Sequence, residues 1–291
     1  MAKRDFQWGS RTFVMGILNL TPDSFSGDGI LNSGSPLERA LAQAEKFIAD
    51  GADILDLGAE SSRPGALPLS AADELARLLP VLQAIRAREI GMLVSVDTWK
   101  AEVAEASLEA GADWINDIHG LQADKELATV IARHQAGVVL MHNRSRAGAV
   151  RDLGTLGSSY TAADYSDFIS DVKAGLQASL CTALEAGIAQ ERIILDPGIG
   201  FGKSVAQNLA LINRLDEFKS LGCPLLIGPS RKSFIGQVLD LPVEEREEGT
   251  AAAITISIAR GADIIRVHNV KKMARVARMT DALTRNTSLT S

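Results

Sequence analysis

A short phrase recurs along this chain and limits what it can fold into. Asp50-Gly-Ala-Asp-Ile-Leu-Asp-Leu-Gly58, Ala110-Gly-Ala-Asp-Trp-Ile-Asn-Asp117 and Arg260-Gly-Ala-Asp-Ile-Ile-Arg-Val-His268 share one grammar. Each follows an amphipathic stretch, sets a glycine where a helix must stop, and then enters a short apolar strand. Gly51, Gly111 and Gly261 lie about 60 and about 150 residues apart, multiples of the roughly 30 residues of a strand–helix–strand unit. Weaker copies stand at Ala136-Gly-Val-Val-Leu-Met-His142 and at Ala186-Gly-Ile188, ahead of Ile193-Ile-Leu-Asp196.

Completing the pattern predicts eight short strands: Phe13–Leu18, Ile54–Leu57, Leu93–Val96, Trp114–Ile118, Val138–Met141, Ile193–Leu195, Leu225–Ile227 and Ile264–Val267. Helical spacing lies between them, as in Leu37, Ala40, Leu41, Ala44, Phe47 and Ile48. Continuous apolar runs, rather than alternating ones, suit parallel strands covered outside by helices. Eight units of about 36 residues use up the chain's 291, which predicts an α/β fold, a closed (β/α)8 TIM barrel. An open doubly wound sheet is the alternative, because periodicity does not prove closure. No linker or composition break divides the sequence, so residues 1–291 read as a single domain.

Composition narrows the function class. With 46% hydrophobic and 23% charged residues the chain can bury a large core. Thirty basic against 36 acidic side chains give a net charge of −6, which argues against a nucleic-acid partner. The longest uncharged apolar run, Gly249–Ala259, is far short of a membrane helix, so no membrane partner is expected. Met1-Ala-Lys-Arg-Asp5 has no apolar stretch behind it and shows no secretory signal. Cys181 and Cys223 are too few for a disulfide framework or a zinc site and read as reduced core residues. A cytoplasmic enzyme is the expectation.

In a (β/α)8 barrel, chemistry sits where strands end, and the predicted strands end on polar groups. These are Asn19, Glu60-Ser-Ser-Arg63, Asp97, Asn116-Asp117, His142, Asp196, Ser230-Arg-Lys232, and Arg266 with His268. Any one of them is more often a cap, but polar groups from all eight strands meeting at one rim read as a shared site. Asp196-Pro-Gly-Ile-Gly-Phe-Gly-Lys203 is not a Walker A loop, since Pro197 stands where that pattern needs glycine. Its glycines would let the backbone and Phe201 approach a ligand closely. Gly228-Pro-Ser-Arg-Lys-Ser-Phe234 precedes a helical stretch and offers N–H groups with Arg231 and Lys232 to an anion. Strand alternation turns Arg266 and His268 the same way. Arg63, Lys203, Arg231, Lys232, Arg266 and His268 thus gather on the rim of an acidic protein, which points to an anionic ligand. Asp97, Asp196 and Asn116 can instead pair with the edge of a flat heterocycle. Together they describe a pocket for a polar heterocycle joined to phosphate.

These segments resemble the dihydropteroate synthase family of pterin-binding proteins. The resemblance rests on Met15-Gly-Ile-Leu-Asn-Leu-Thr-Pro-Asp-Ser-Phe-Ser26, Glu60-Ser-Ser-Arg-Pro-Gly65, Ser95-Val-Asp-Thr98, Asn116-Asp-Ile118, Asp196–Lys203, Ser230-Arg-Lys-Ser233 and Arg266-Val-His268. It implies condensation of 6-hydroxymethyl-7,8-dihydropterin pyrophosphate with 4-aminobenzoate, releasing pyrophosphate, with Mg2+ as cofactor and a homodimer as the assembly. By the same resemblance Asp97, Asn116, Asp196 and Lys232 hold the pterin, with Arg266 against it. Asn19, Arg266 and His268 hold pyrophosphate, Asn19 also ligating magnesium. Ser62, Arg63, Pro64, Phe201, Lys232 and Ser233 surround aminobenzoate, while Phe25 and the loop Thr21–Ser35 close over the reacting centre. Asp97, Lys232, Arg266 and His268 are the expected catalytic residues, with Arg266 and His268 acting as cations. Ser62, Ala59 and Asn269 depart from the family's usual Thr, Gly and Asp, and Asn143–Tyr160 diverges from its usual segment. A methyltransferase barrel that binds folates would not need Ser230–Ser233 or Arg266-Val-His268. A non-catalytic relative would be expected to have lost Asn19, Lys232 or Arg266.

Overall fold

The computed structural model describes residues 6–21, 35–88, 90–146 and 148–285. Its strands in chain order are β1 Phe13–Asn19, β2 Ile54–Gly58, β3 Leu93–Asp97, β4 Trp114–Asp117, β5 Gly137–Met141, β6 Val150–Asp152, β7 Ser158–Tyr160, β8 Ile193–Asp196, β9 Leu226–Ile227 and β10 Ile264–Val267. Eight of them form one parallel sheet in the order β8-β5-β4-β3-β2-β1-β10-β9, and a parallel bridge from Leu195 to Leu225 joins its two ends into a barrel. Each predicted strand is present within a residue or two. The remaining pair, β6 and β7, makes an antiparallel ribbon within Asn143–Tyr160, where none of the eight predicted strands falls.

The helices are α1 Pro36–Ala49, α2 Ala71–Ala87, α3 Ala101–Glu109, α4 Leu127–Arg133, α5 Phe168–Glu185, α6 Val205–Asn213, α7 Ser233–Leu239, α8 Glu247–Ala259 and α9 Val270–Thr284. Helix α1 begins at a capping box, where Ser35 accepts from Glu38 N and the Glu38 carboxylate accepts from Ser35 N.

The recurring phrase proves to be two devices in sequence. Gly51, Gly111 and Gly261 have φ of 100°, 102° and 94°, the left-handed region open to glycine. The following residues Ala52, Ala112 and Ala262 each donate N–H to a carbonyl five residues back, at 2.9 Å in all three cases, closing a Schellman turn. The aspartates come next. Asp53 accepts from Val14 N at 2.9 Å, Asp113 from Val94 N at 2.9 Å and Asp263 from Leu225 N at 3.0 Å, so each ties its own strand to the start of a neighbour. The weaker copy at Gly137 differs: Gln135 takes the left-handed turn at φ 50°, and Gly137 makes room for the indole of Trp114.

Alternation along the strands separates two apolar regions. Leu55, Leu57, Val94, Val96, Ile115, Val138, Leu140, Leu195, Ile265 and Val267 face the helices. Phe13, Met15, Ile54, Val139, Ile194, Leu226 and Ile264 fill the barrel's interior. The amino-terminal end is floored by aromatics, with Phe6 and Trp8 stacked at 5.0 Å and Phe6 lying 5.4 Å from Trp114. The interior is therefore plugged below, and polar inward positions collect at the carboxyl end of the strands. Of the two cysteines, Cys223 is buried as expected, but Cys181 is exposed on α5. Among the described residues no helix is long and apolar enough to cross a membrane.

Candidate functional site

The inward file that carries Met15, Ile54 and Ile264 turns polar one step higher. Register pairs Met15 with Arg266, Ile17 with Asp56, Asp56 with Ser95, and Asp97 with Asn116. Arg266 is the hub: its Nε donates to Asp56 Oδ2 at 2.6 Å and its Nη2 to Asp97 Oδ2 at 2.6 Å. Asn116 Nδ2 donates to the same Asp56 oxygen at 3.2 Å. The two carboxylates hold the Arg266 guanidinium firmly protonated despite its burial. Burial pushes the Asp97 carboxyl up to about 7 against the pull of Arg266, with Asp56, Glu74 and Asp117 adding to the rise.

Asp56 is fully buried in the site, although it lies within β2, inside the first recurring phrase, and not among the polar residues at the strand ends. Alternation could have found it, since an acid flanked by Leu55 and Leu57 must turn into the barrel. Its Oδ1 and the neighbouring Ser95 Oγ have no hydrogen-bond partner among the described residues. Unpartnered buried acceptors are costly and mark a place where a ligand or water donor fits.

On the opposite wall, Asp196 ends β8 and accepts from Gly198 N at 2.7 Å through Oδ1. Burial pushes its carboxyl up, while Lys232 and that N–H pull the other way. The glycine loop then wraps over Lys232. Gly200 has φ 83°, which favours glycine, and a Cβ there would lie 2.8 Å from Lys232 Cδ and push that side chain aside. Lys232 donates to the Ile199 carbonyl and sets Nζ 4.2 Å from the centre of the Phe201 ring. Burial lowers its ammonium to about 8. Ser233 is the first residue of α7, directly after it.

Three expectations need correction. Lys203 is not a cation on the rim. It is buried under the loop and donates to the carbonyls of Gly198, Phe201 and His142 at 2.8, 3.1 and 3.3 Å, with burial lowering it to about 7. His142, also counted on the rim, packs beside it and points away from the interior, because Met141 takes the inward position. His268 does face inward with Arg266, but its imidazole is neutral: burial first, then Arg231, Arg266, Arg63 and Lys232, lower it to about 3. It shares a hydrogen bond of 2.9 Å with Ser230 Oγ. Asp117 caps the turn after β4, accepting from His119 N and Leu121 N.

Asn19 ends β1 beside Gly58, and a Cβ built on Gly58 would be in ordinary contact, at 3.8 Å, with both Asn19 Oδ1 and Asp97 Oδ2, so the two oxygens flank the same residue. Glu60 starts the β2–α2 loop and is held, together with Glu74 of α2, by Lys100 Nζ. Further along that loop Ser62 and Pro64 are half-buried and Arg63 is exposed. A cavity of about 20 Å³ opens beside Asp97 between this loop and Trp99. Phe25 and most of the Thr21–Ser35 loop lie outside the described residues.

With this geometry in hand, comparisons with known proteins agree in one direction. The family described as pterin binding enzyme matches residues 15–268. A dihydropteroate synthase of Bacillus subtilis is 47% identical over 273 residues, covering 94% of this chain and 89% of its own. Among solved structures, a dihydropteroate synthase from Clostridium difficile in the presence of pteroic acid superposes with a TM-score of 0.86 at 41% identity, covering 97% of this chain and 100% of its own. One from Yersinia pestis in a sulfonamide drug complex does so with a TM-score of 0.85 at 38% identity, covering 97% and 98%.

Proposed function

The chain belongs to the dihydropteroate synthases, within the pterin-binding enzymes, and from that premise we propose how its residues divide the reaction. It is a transferase of folate biosynthesis that joins 6-hydroxymethyl-7,8-dihydropterin pyrophosphate to 4-aminobenzoate and releases pyrophosphate. The observation that carries the residue assignment is the meeting of Asp56, Asp97, Asn116 and Arg266 with Asp196 and Lys232 at the open end of one barrel.

Asp97, Asn116 and Asp196 hold the pterin edge, the acids accepting its N–H groups and the amide both donating and accepting. Arg266 lies against the pterin and reaches toward pyrophosphate, and Lys232 stands between pterin and aminobenzoate. The methylene–oxygen bond breaks with its electron pair leaving on pyrophosphate. Asp97 and Asp196 stabilise the positive charge left on the pterin, while Arg266 and His268 stabilise the leaving group. Since His268 is neutral before the anion arrives, it contributes N–H donation first and a charge only if it gains a proton there. The aminobenzoate nitrogen then attacks the methylene carbon and gives up a proton to solvent. Ser62, Arg63, Pro64, Phe201 and Ser233 orient the arylamine and exclude competing water.

Magnesium belongs to the proposal on donor chemistry. Among the described residues no cluster of three His, Cys, Asp or Glu forms a protein cage. Magnesium favours one or two protein oxygens plus substrate phosphates and water, and Asn19 Oδ1, which flanks Gly58 together with Asp97 Oδ2, is such an oxygen. When bound, the ion would neutralise charge on the departing pyrophosphate. We also place the enzyme in the cytoplasm as a homodimer, the second supported by exposed Ile256, Met279 and Leu283 on α8 and α9. Sedimentation of the purified protein tests the dimer.

Lys232→Ala tests the residue assignment. Turnover should fall at least about a hundredfold in a variant that still folds, since truncating a side chain that touches both substrates removes orientation as well as charge. Near-normal turnover would take Lys232 out of the site.

A further inference from the structure

The segment between β5 and α5 carries a small structure of its own, and that structure gives it a task. Val150–Asp152 and Ser158–Tyr160 pair as an antiparallel ribbon, with Val150 opposite Tyr160 and Asp152 opposite Ser158. A lone two-stranded ribbon is marginal in water, so docking must hold this one in place. Its turn is fixed by Arg246, a buried guanidinium that donates to three carbonyls: Leu156 O at 2.9 Å, Arg231 O at 3.0 Å and Leu241 O at 3.1 Å. Its far strand reaches the β2–α2 loop, where Tyr160 Oη donates to Ser62 O at 3.1 Å and Ser158 Oγ to Pro64 O at 3.3 Å. The Tyr160 ring stacks on Phe201 at 5.9 Å and 28°. Just past the ribbon, Ala163 N donates to Gly202 O at 2.9 Å.

The ribbon therefore bridges three rim loops, those carrying Ser62 to Pro64, Phe201, and Arg231 to Ser233. These are the loops assigned above to the arylamine. We propose that the β6–β7 ribbon is a wall of the 4-aminobenzoate pocket and that Tyr160 is a positioning residue, fixing the Ser62 carbonyl and the Phe201 ring together. The inference rests on the dihydropteroate synthase reading of the site. Burial raises the Tyr160 phenol, so the hydroxyl stays protonated and remains a donor. With Phe201 braced on one side by Tyr160 and contacted by Lys232 Nζ at 4.2 Å, a flat aryl ring meets an apolar surface already ordered before it binds.

The test is steady-state kinetics of the full-length enzyme with both substrates and magnesium. Tyr160→Phe removes the hydroxyl alone and should raise the KM for 4-aminobenzoate about fivefold, the worth of one neutral hydrogen bond. Tyr160→Ala also removes the ring and should raise it roughly ten- to hundredfold. The KM for the pterin pyrophosphate and the kcat at saturation should stay near wild type in both, a split that general loss of folding does not produce. Ser158→Ala gives a milder rise of the same kind and guards against a misfolded Tyr160→Ala. Aminobenzoate KM values within twofold of wild type in folded Tyr160→Ala overturn the proposal alone. Equal changes in all three constants overturn it too, by making Tyr160 merely structural. A wild-type protein that makes no dihydropteroate overturns the reading of the site, and the ribbon's assignment with it.

Discussion

Arg266 and Asp97 meet at 2.6 Å, guanidinium Nη2 to carboxylate Oδ2, across the strands that separate β10 from β3. The same guanidinium holds Asp56 through Nε, so one cation serves two buried acids. Arg266→Met should expose the imbalance. Leaving buried charge without its partner costs about 3–5 kcal/mol, and urea denaturation should show a loss of that order. A loss under about 1 kcal/mol, the scale of a surface ion pair, would mean the network contributes little to the fold.

The raised Asp97 carboxyl gives a pH dependence with a definite sign. Below about 7 it is increasingly protonated and stops offering two acceptors to the pterin edge. The KM for the pterin pyrophosphate should therefore rise as pH falls through 7, while the KM for aminobenzoate changes less. The stability effect runs the other way. The folded state holds this proton more tightly than the unfolded chain, whose carboxyl titrates near 3.8, so the group favours folding at low pH and loses that contribution as pH rises toward 7. A pterin KM constant from pH 8 to pH 6, roughly one unit either side of that value, counts against Asp97 as the acceptor.

Asp196→Asn examines the other pterin contact. Asparagine can still accept from Gly198 N through its remaining oxygen, so the loop should survive. The new amide faces the ligand with a donor where an acceptor is needed, at a cost of about 1–3 kcal/mol or roughly ten- to hundredfold in affinity. Calorimetric titration with the pterin alone measures it, and unchanged affinity rules out direct contact.

How far the sequence reached depended on whether a signal was local. Gly51, Gly111 and Gly261 mark helix ends because left-handed backbone strongly favours glycine, and together with the apolar runs between them they sufficed to count the barrel strands. Asp53, Asp113 and Asp263 stood beside them without being understood, because their partners lie on other strands. Lys203 read as a ligand-facing cation for a similar reason: sequence shows charge but not direction, and its Nζ turns inward to three carbonyls. His268 faces inward as strand alternation indicates, but its charge depends on burial and on the cations that folding gathers around it, which no local pattern shows. Tyr160 gave no local sign of its role, since a half-buried tyrosine in a Gly- and Ser-rich segment fits many loops. Most of the polar rim was legible from the residues at the strand ends, and the contacts within it were not.

His268 should take up a proton when pyrophosphate binds. Its imidazole lies well below its ordinary 6.5 because of burial and four neighbouring cations, and an arriving polyanion offsets both charge and field. Calorimetry in buffers of different ionisation heat should register proton uptake near neutral pH that is missing in His268→Asn. Equal uptake by the two proteins would leave the imidazole neutral throughout. In the free enzyme this histidine contributes stability that is present above about 6.5 and lost as pH falls toward 3.

Aminobenzoate and a sulfonamide should compete for one pocket, and both should bind more tightly once pyrophosphate, pterin and magnesium are present. The anion would order Arg63 and the loop bearing Ser62 and Pro64, and linkage makes the coupling reciprocal. Titrations with and without those ligands measure it. Identical affinities in the two conditions contradict the ordered pocket, and failure to compete puts the drug elsewhere.

The most direct test follows pyrophosphate release and dihydropteroate formation together, in the purified protein with the pterin pyrophosphate and magnesium, as 4-aminobenzoate is added. The account predicts that release depends on aminobenzoate, saturates with it, and matches dihydropteroate one to one. Release that ignores aminobenzoate, or no release at all, would contradict the assignment of this barrel as a dihydropteroate synthase.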